Sequence, residues 1–131
     1  MNKTNRDQLG VLVAEDASVL RSAMKFSLEN EPSIRILGEA TSLEQTISLA
    51  VTLKPDVILL DLHMKDIAAY ESGFVRSQFA ASGARVLAMT LPGDDDEGGR
   101  KLAEAIGADA LLNKAALYNT LIPAILNRAG G

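Results

Sequence analysis

The sequence predicts a doubly wound α/β domain built on a five-stranded parallel sheet in the order 2-1-3-4-5. Two observations carry that prediction. The first is a set of short apolar runs, Val11-Leu12-Val13-Ala14, Val57-Ile58-Leu59-Leu60, Val86-Leu87-Ala88-Met89 and Ala110-Leu111-Leu112. Continuous apolar runs of about four to eight residues suit parallel strands covered on both faces. The second is the alternation of these runs with stretches of helical periodicity and short connections, which right-handed crossovers wind into a single sheet. The order 2-1-3-4-5 is one of the two common outcomes.

Each element has its own signals. Residues 1–8 are polar and are read as a tail, residues 9–128 as the domain, and residues 129–131 as a C-terminal tail or the start of a linker. Ser18 is the expected cap of a helix reaching about Asn30, with Val19, Leu20, Ala23, Met24 and Leu28 inward. Pro32 ends it. Ile34–Ala40 alternates more than the other strands and reads as the edge strand. Ser42 followed by Gln45 fits a capping box. The helix it opens runs to about Lys54, with Leu43, Ile47, Ala50 and Val51 inward. Pro55-Asp56 breaks it before the strand that ends at Asp61.

A third helix is expected within Ile67–Ala81, although Gly73 weakens it, and Gly83 precedes the strand ending at Thr90. Pro92 to Gly99, with Asp94-Asp95-Asp96-Glu97, reads as a solvated acidic loop, since it lacks the alternating ligand spacing of a calcium loop. A fourth helix follows over roughly Gly99–Ile106 and stops at Gly107. The last helix covers about Leu117–Arg128. Pro123 conflicts with it, because an interior proline costs about 3 kcal/mol. The sequence therefore predicts a helix starting near Thr120, with Thr120 as N-cap, or a kink. Phe74, Phe79 and Tyr118 read as packing residues.

Composition narrows the chemistry. The chain has 131 residues, no cysteine, one histidine and a formal net charge of −4. One domain of this length buries enough surface to fold without staples. The lack of cysteine excludes disulfides, zinc thiolates and cysteine nucleophiles, and fits a reducing cytoplasm. The lone His63 argues against histidine-cluster metal sites and a Ser/His/Asp triad. The acidic balance gives no nucleic-acid surface. No apolar stretch approaches the roughly 20 residues needed to span a membrane, and the polar start lacks the apolar core of a signal peptide.

The ends of the runs carry the function. Glu15-Asp16, Asp61, Thr90 and Lys114 follow four different strands, and ligands of open parallel sheets bind beyond the carboxyl ends of the strands. Asp61 is the candidate nucleophile, since a carboxylate oxygen can attack phosphorus to give an acyl phosphate. Glu15, Asp16 and Asp61 offer the hard oxygen ligands that Mg²⁺ prefers. Lys114 supplies a compact positive charge for a phosphoryl oxygen, and Thr90 a hydroxyl donor. Taken singly, each has a plainer reading: Glu15-Asp16 as helix-capping anions, Thr90 as a loop hydroxyl, Lys114 as a surface cation. Their ordered set favours phosphoryl chemistry.

With these motifs in place, the chain resembles the receiver domain of bacterial two-component response regulators over about Leu9 to Arg128, with the flavour of receivers joined to NarL/LuxR-type DNA-binding domains. Gly38-Glu39-Ala40, Pro55 to Met64, Met89-Thr90, Gly107-Ala108-Asp109-Ala110 and Lys114 also match. The resemblance implies the flavodoxin-like (CheY-like) fold. It implies that Asp61 takes a phosphoryl group from a sensor histidine kinase or histidine phosphotransfer protein. Glu15, Asp16, Asp61 and the backbone carbonyl of His63 would bind Mg²⁺. Thr90 and Lys114 would sense the phosphoryl group and shift the face built from the fourth helix, fifth strand and fifth helix. It further implies a non-enzymatic switch, cytoplasmic and without membrane contact. Homodimers would form through that face or through the first and fifth helices, and DNA would be reached only through an output domain absent from this chain.

Four departures from the family pattern stand out. Lys65 replaces the usual proline, Ile67-Ala68-Ala69-Tyr70 replaces the usual Asp-Gly turn, Leu111 replaces the usual aromatic, and Pro123 falls within the usual output face. Other readings remain to be weighed. A haloacid-dehalogenase-type phosphatase wants a second Asp where His63 stands. A flavodoxin-like FMN carrier wants a hydroxyl-rich loop where Glu15-Asp16 stands. A stand-alone receiver that acts by docking, and a scaffold that works without phosphorylation, both keep the same fold.

Overall fold

The computed structural model describes residues 8–91 and 96–127. Its elements run β1 (Leu9–Ala14), α1 (Ser18–Glu29), β2 (Ile34–Ala40), α2 (Leu43–Leu53), β3 (Val57–Asp61), α3 (Ser72–Ser82), β4 (Arg85–Thr90), α4 (Asp96–Ala105), β5 (Ala110–Asn113) and α5 (Leu117–Leu126). All strand pairs are parallel, in the order β2-β1-β3-β4-β5. The predicted doubly wound sheet is the observed one, with β2 at its edge.

Strand side chains alternate between two apolar layers. Leu12, Ala14, Ile58, Leu60, Val86 and Ala88 pack against α2, α3 and α4, including Leu43, Val75, Phe79 and Ala103. Val11, Val13, Val57, Leu59, Leu87 and Met89 pack against Met24 and Leu28 of α1 and Leu117, Leu121 and Ile125 of α5. Covering both faces is why the central strands read as unbroken apolar runs. The β1–β2 register slips between Val11 and Leu12, leaving Leu37 without a partner across the ladder. Leu37 leans over Gly10, where a Cβ would lie 2.6 Å from Leu37 Cδ1.

Several local expectations need correction. The N-cap of α1 is Ala17, without a side-chain bond; Ser18 is the first helical residue. Val19 and Ala23 lie outside rather than inward, Val19 being 84% exposed. In α2, Leu43 and Ala50 are buried and Ile47 packs on the core as expected, but Val51 is exposed and Thr46 is buried instead. The backbone over 67–69 forms one 3₁₀ turn, and α3 starts only at Ser72. Gly73 therefore falls in the first turn, where its helix penalty matters least. The helix α4 begins at Asp96, before the expected Gly99; residues 92–95 of the expected acidic loop, Pro92 among them, lie outside the described residues.

α5 begins at Leu117 and carries Pro123 inside it, so Thr120 is not its cap; the Thr120 hydroxyl instead donates to Ala116 O at 2.9 Å. The last carbonyls of this helix, Ala124 O and Ile125 O, accept from the Arg85 guanidinium at the start of β4. Of the three expected packing aromatics only Phe79 is buried. Phe74 stacks on Tyr70 with half its surface outside, and Tyr118 is 90% exposed. The expected tail over 1–8 and the stretch 128–131 lie, except for Gln8, outside the described residues.

Candidate functional site

The carboxyl ends of β1, β3 and β5 bring Glu15, Asp16, Asp61 and Lys114 together. Glu15 follows β1. Its N–H donates to Ala40 O at 2.9 Å, its carbonyl accepts from the Arg21 guanidinium at 2.9 Å, and its Oε2 accepts from Ala17 N at 3.1 Å. Three bonds to neighbouring chain thus fix where the carboxylate points. Asp61 is the last residue of β3, in register with Met89, and Leu62 N donates to Met89 O at 3.0 Å. Asn113 ends β5, and its side-chain oxygen accepts from Ala115 N at 2.8 Å, capping the 3₁₀ turn Lys114–Ala116.

Lys114 Nζ lies 2.8 Å from Asp61 Oδ1 and 3.1 Å from Glu15 Oε1. The first contact is a well-aligned hydrogen bond; the second is an ion-pair separation without hydrogen-bond alignment. Asp61 Oδ1 also accepts from His63 N at 2.8 Å. Glu15 and Asp61 are 0% and 1% exposed. Carboxylate oxygens from Glu15, Asp16 and Asp61 all lie within 4.8 Å of one another.

Two buried carboxylates against one ammonium leave an excess of negative charge. At an effective dielectric of about 20, like charges roughly 5 Å apart repel by about 3 kcal/mol. Burial first, and then the Asp61 charge, push the Glu15 carboxyl above its ordinary value, against the Ala17 N–H and Lys114. Burial alone would lower Lys114, but the Asp61 and Glu15 carboxylates outweigh it and hold the ammonium above its ordinary value. Lys114 therefore stays charged.

The buried oxygens Glu15 Oε1 and Asp61 Oδ2 have no hydrogen-bond partner. Buried acceptors are almost always satisfied, so orphaned oxygens in a cluster of three carboxylates fit a hard divalent cation. Mg²⁺ takes such oxygen donors and keeps several waters.

Thr90 ends β4 beside Asn113, and its Oγ1 lies 3.5 Å from His63 Nε2. The His63 imidazole thus stands at the rim of the pocket, over the hydroxyl. Two residues outside the motifs help to build the site. Arg21 joins Glu15 O to Glu39, which Lys25 also contacts at 2.6 Å; the Lys25 contact, chiefly, holds the Glu39 carboxyl below its ordinary value. Asp66, in the loop after β3, accepts from the first two amides of α2. An acid placed where the family-like turn is missing was the only trace of the second in the sequence.

A strand-end aspartate, a carboxylate cluster and a lysine across the sheet, all on the 2-1-3-4-5 fold, are the parts of a doubly wound α/β domain with an acidic pocket at the carboxyl ends of its strands. Residues 11–126 match the response regulator receiver domain, and the chain belongs to that family. It is 30% identical over 128 residues to the nitrate/nitrite response regulator protein NarL of Escherichia coli, covering 98% of this chain and 58% of that protein. A nitrate/nitrite response regulator homolog of Haemophilus influenzae is 31% identical over 128 residues, with 96% and 59% covered. The chain thus spans somewhat over half the length of these relatives. Among solved structures, the signal receiver domain of NarL from Mycobacterium tuberculosis superposes with a TM-score of 0.81 at 27% identity, covering 95% of this chain and 98% of that one. The chain is therefore a receiver domain homologous to those of NarL/LuxR-type response regulators. Among the described residues, no helix is long and apolar enough to cross a membrane.

Proposed function

We propose that this domain is a phosphorylation-controlled switch in which Asp61 accepts a phosphoryl group from a histidine kinase or a histidine phosphotransfer protein. The observation that carries the reading is the division of labour at Asp61. Its Oδ1 holds both donors, Lys114 Nζ and His63 N, while its buried Oδ2 has none. Oδ2 is thus the oxygen left for attack. A P–O bond forms there as the P–N bond of the donor imidazole breaks, and the imidazole leaves with its electron pair and takes up a proton. Hydrolysis by water restores the carboxylate and releases inorganic phosphate.

Glu15, Asp16, Asp61 and the His63 carbonyl would hold Mg²⁺, which when bound neutralises and orients the incoming phosphoryl oxygens. Lys114 already sits on Asp61 and meets a phosphoryl oxygen once transfer is complete; the Thr90 hydroxyl donates to another. A group carrying about −2 charge and new acceptor oxygens then biases the surroundings of Thr90 and Lys114. The response passes to the face of α4, β5 and α5, which with the α1–α5 face is the candidate for homodimer contact. We assign residues 9–128 to this unit and residues 129–131 to its tail or to the start of a linker. The domain turns over no external substrate.

The relatives named response regulators are longer than this chain, and we infer a cytoplasmic transcriptional role through a DNA-binding segment outside residues 1–131. Leu111, in the place of an aromatic switch residue, favours a second reading, a receiver-like scaffold that works without phosphorylation. One experiment separates them. Acetyl phosphate with MgCl₂ adds one phosphoryl group by intact mass to the wild type and none to Asp61→Asn, and beryllofluoride shifts the amide spectrum of the wild type only. Equal behaviour of the two proteins removes the switch reading.

A further inference from the structure

The loop after β3 lacks the proline and the Asp-Gly turn, yet it is held at both ends. On one side the Leu62 and Met64 side chains are buried, 5% and 1% exposed. On the other, Asp66 reaches across to α2. Its Oδ1 accepts from Leu43 N at 2.7 Å and its Oδ2 from Glu44 N at 3.0 Å. The third amide of that helix, Gln45 N, goes to the Ser42 hydroxyl at 3.1 Å. A helix begins with amides that have no partner inside it. Here a carboxylate 22 and 23 residues further along the chain supplies two of them. The bonds are charge-assisted and two-pronged, a geometry that fixes direction as well as distance.

This clamp lies next to the carboxylate cluster. Asp16, Thr41, Ser42, Lys65 and Asp66 line one cleft. Asp66 is not among the clustered carboxylates, since its oxygens face the α2 amides. Between the buried Met64 and the clamp runs Lys65, and immediately before Met64 stands His63, whose N–H is tied to Asp61 Oδ1. The backbone of 62–66 is thus fixed at Leu62, at His63 N, at Met64 and at Asp66. Those points hold the stretch of backbone that carries the His63 carbonyl.

We propose that Asp66 is a positioning residue for divalent-cation binding: by clamping the loop after β3 onto the start of α2, it aims the His63 carbonyl into the cleft beside Glu15, Asp16 and Asp61. It takes over the stiffening that a proline at position 65 would give. The proposal rests on the Mg²⁺ site described above, and its test keeps the two apart.

Calorimetric titration with MgCl₂ compares the wild type, Asp66→Ala, Asp66→Asn and Thr46→Val. Thr46→Val removes a different bond of the same helix turn, Thr46 Oγ1 to Ser42 O at 2.7 Å, and leaves the loop alone. Outer-sphere partners of metal ligands typically control affinity by about 10- to 100-fold. The Mg²⁺ Kd should rise about tenfold in Asp66→Ala. Asp66→Asn keeps one acceptor oxygen and should fall between. Thr46→Val should lose thermal stability but bind Mg²⁺ within about twofold of wild type, inside the scatter of such comparisons.

If Asp66→Ala binds like the wild type, or Thr46→Val weakens binding as much, the clamp has no part in aiming the carbonyl. If the wild type itself gives no Mg²⁺ isotherm, and Asp16→Asn is indistinguishable from it, the metal site falls and the clamp's role with it. Should Asp66→Ala not fold, Asp66→Asn decides, with the Leu43 and Glu44 amide resonances reporting whether the clamp is open.

Discussion

The two ends of this sheet use the same side chain in opposite ways. At the amino ends of the strands, Asp56 and Asp109 are exposed, and each has an oxygen on a backbone amide: Gly10 N at 2.8 Å and Val86 N at 2.8 Å. At the carboxyl ends, Glu15 and Asp61 are buried, and each keeps an oxygen that accepts no hydrogen bond, Glu15 Oε1 having only the unaligned Lys114 ammonium at 3.1 Å. Stability alone favours the reverse, since water satisfies an exposed carboxylate and nothing satisfies a buried orphan. A carboxylate that completes its bonding within the fold is structural. One that is buried and left short of partners is kept for something the fold does not itself provide.

The largest effect that would sharpen this contrast is at the amino end. Asp56→Ala strands the buried Gly10 N–H and should cost about 1–2 kcal/mol in urea unfolding, while phosphorylation by acetyl phosphate continues. A loss of phosphorylation at unchanged stability would break the comparison, because the amino end would then be functional too.

The carboxyl end should respond with the opposite sign. Glu15 has a folded pKa above the ordinary 4.5, so as pH rises past 4.5 the unfolded chain releases that proton first and stability falls until the folded carboxyl has also ionised. Glu15→Gln removes the loss. In EDTA its melting temperature should exceed that of the wild type by an amount that grows from pH 4 towards neutrality. Mg²⁺ should narrow the gap by stabilising only the wild type. A gap that stays flat with pH, or a less stable variant, would mean that Glu15 is not under strain.

The smallest effect is a backbone control far from the pocket. Lys54 closes α2 in the left-handed region, at φ +49°. Lys54→Gly relieves that conformation and should stabilise by up to about 1 kcal/mol in the same unfolding assay, with no change in Mg²⁺ affinity.

The strands were legible because burial on two faces leaves an unbroken apolar run, and the runs point to their own ends. Asp61, Glu15, Asp16 and Lys114 could be found because each is local to a strand end. What was not legible depends on partners distant in the chain. Asp66 reads as an ordinary loop acid until Leu43 and Glu44 are beside it. The inward face of α1 was drawn too wide because Val19 and Ala23 share the helical period with Leu20 and Met24, and only the position of α5 decides which side is covered. Pro123 did not move the start of α5, because Asn113 and the 3₁₀ turn fix that start upstream of it.

Arg85 gives β4 a mechanical end to match its chemical one. Thr90 closes the strand at the pocket, and at the other terminus the guanidinium grips the final carbonyls of α5. The strand between them is six residues long, about 17 Å of stiff ladder bonded on both sides. Any segment that leaves the domain after Asn127 therefore departs from a point moored to the strand that bears the hydroxyl, with no helix interposed.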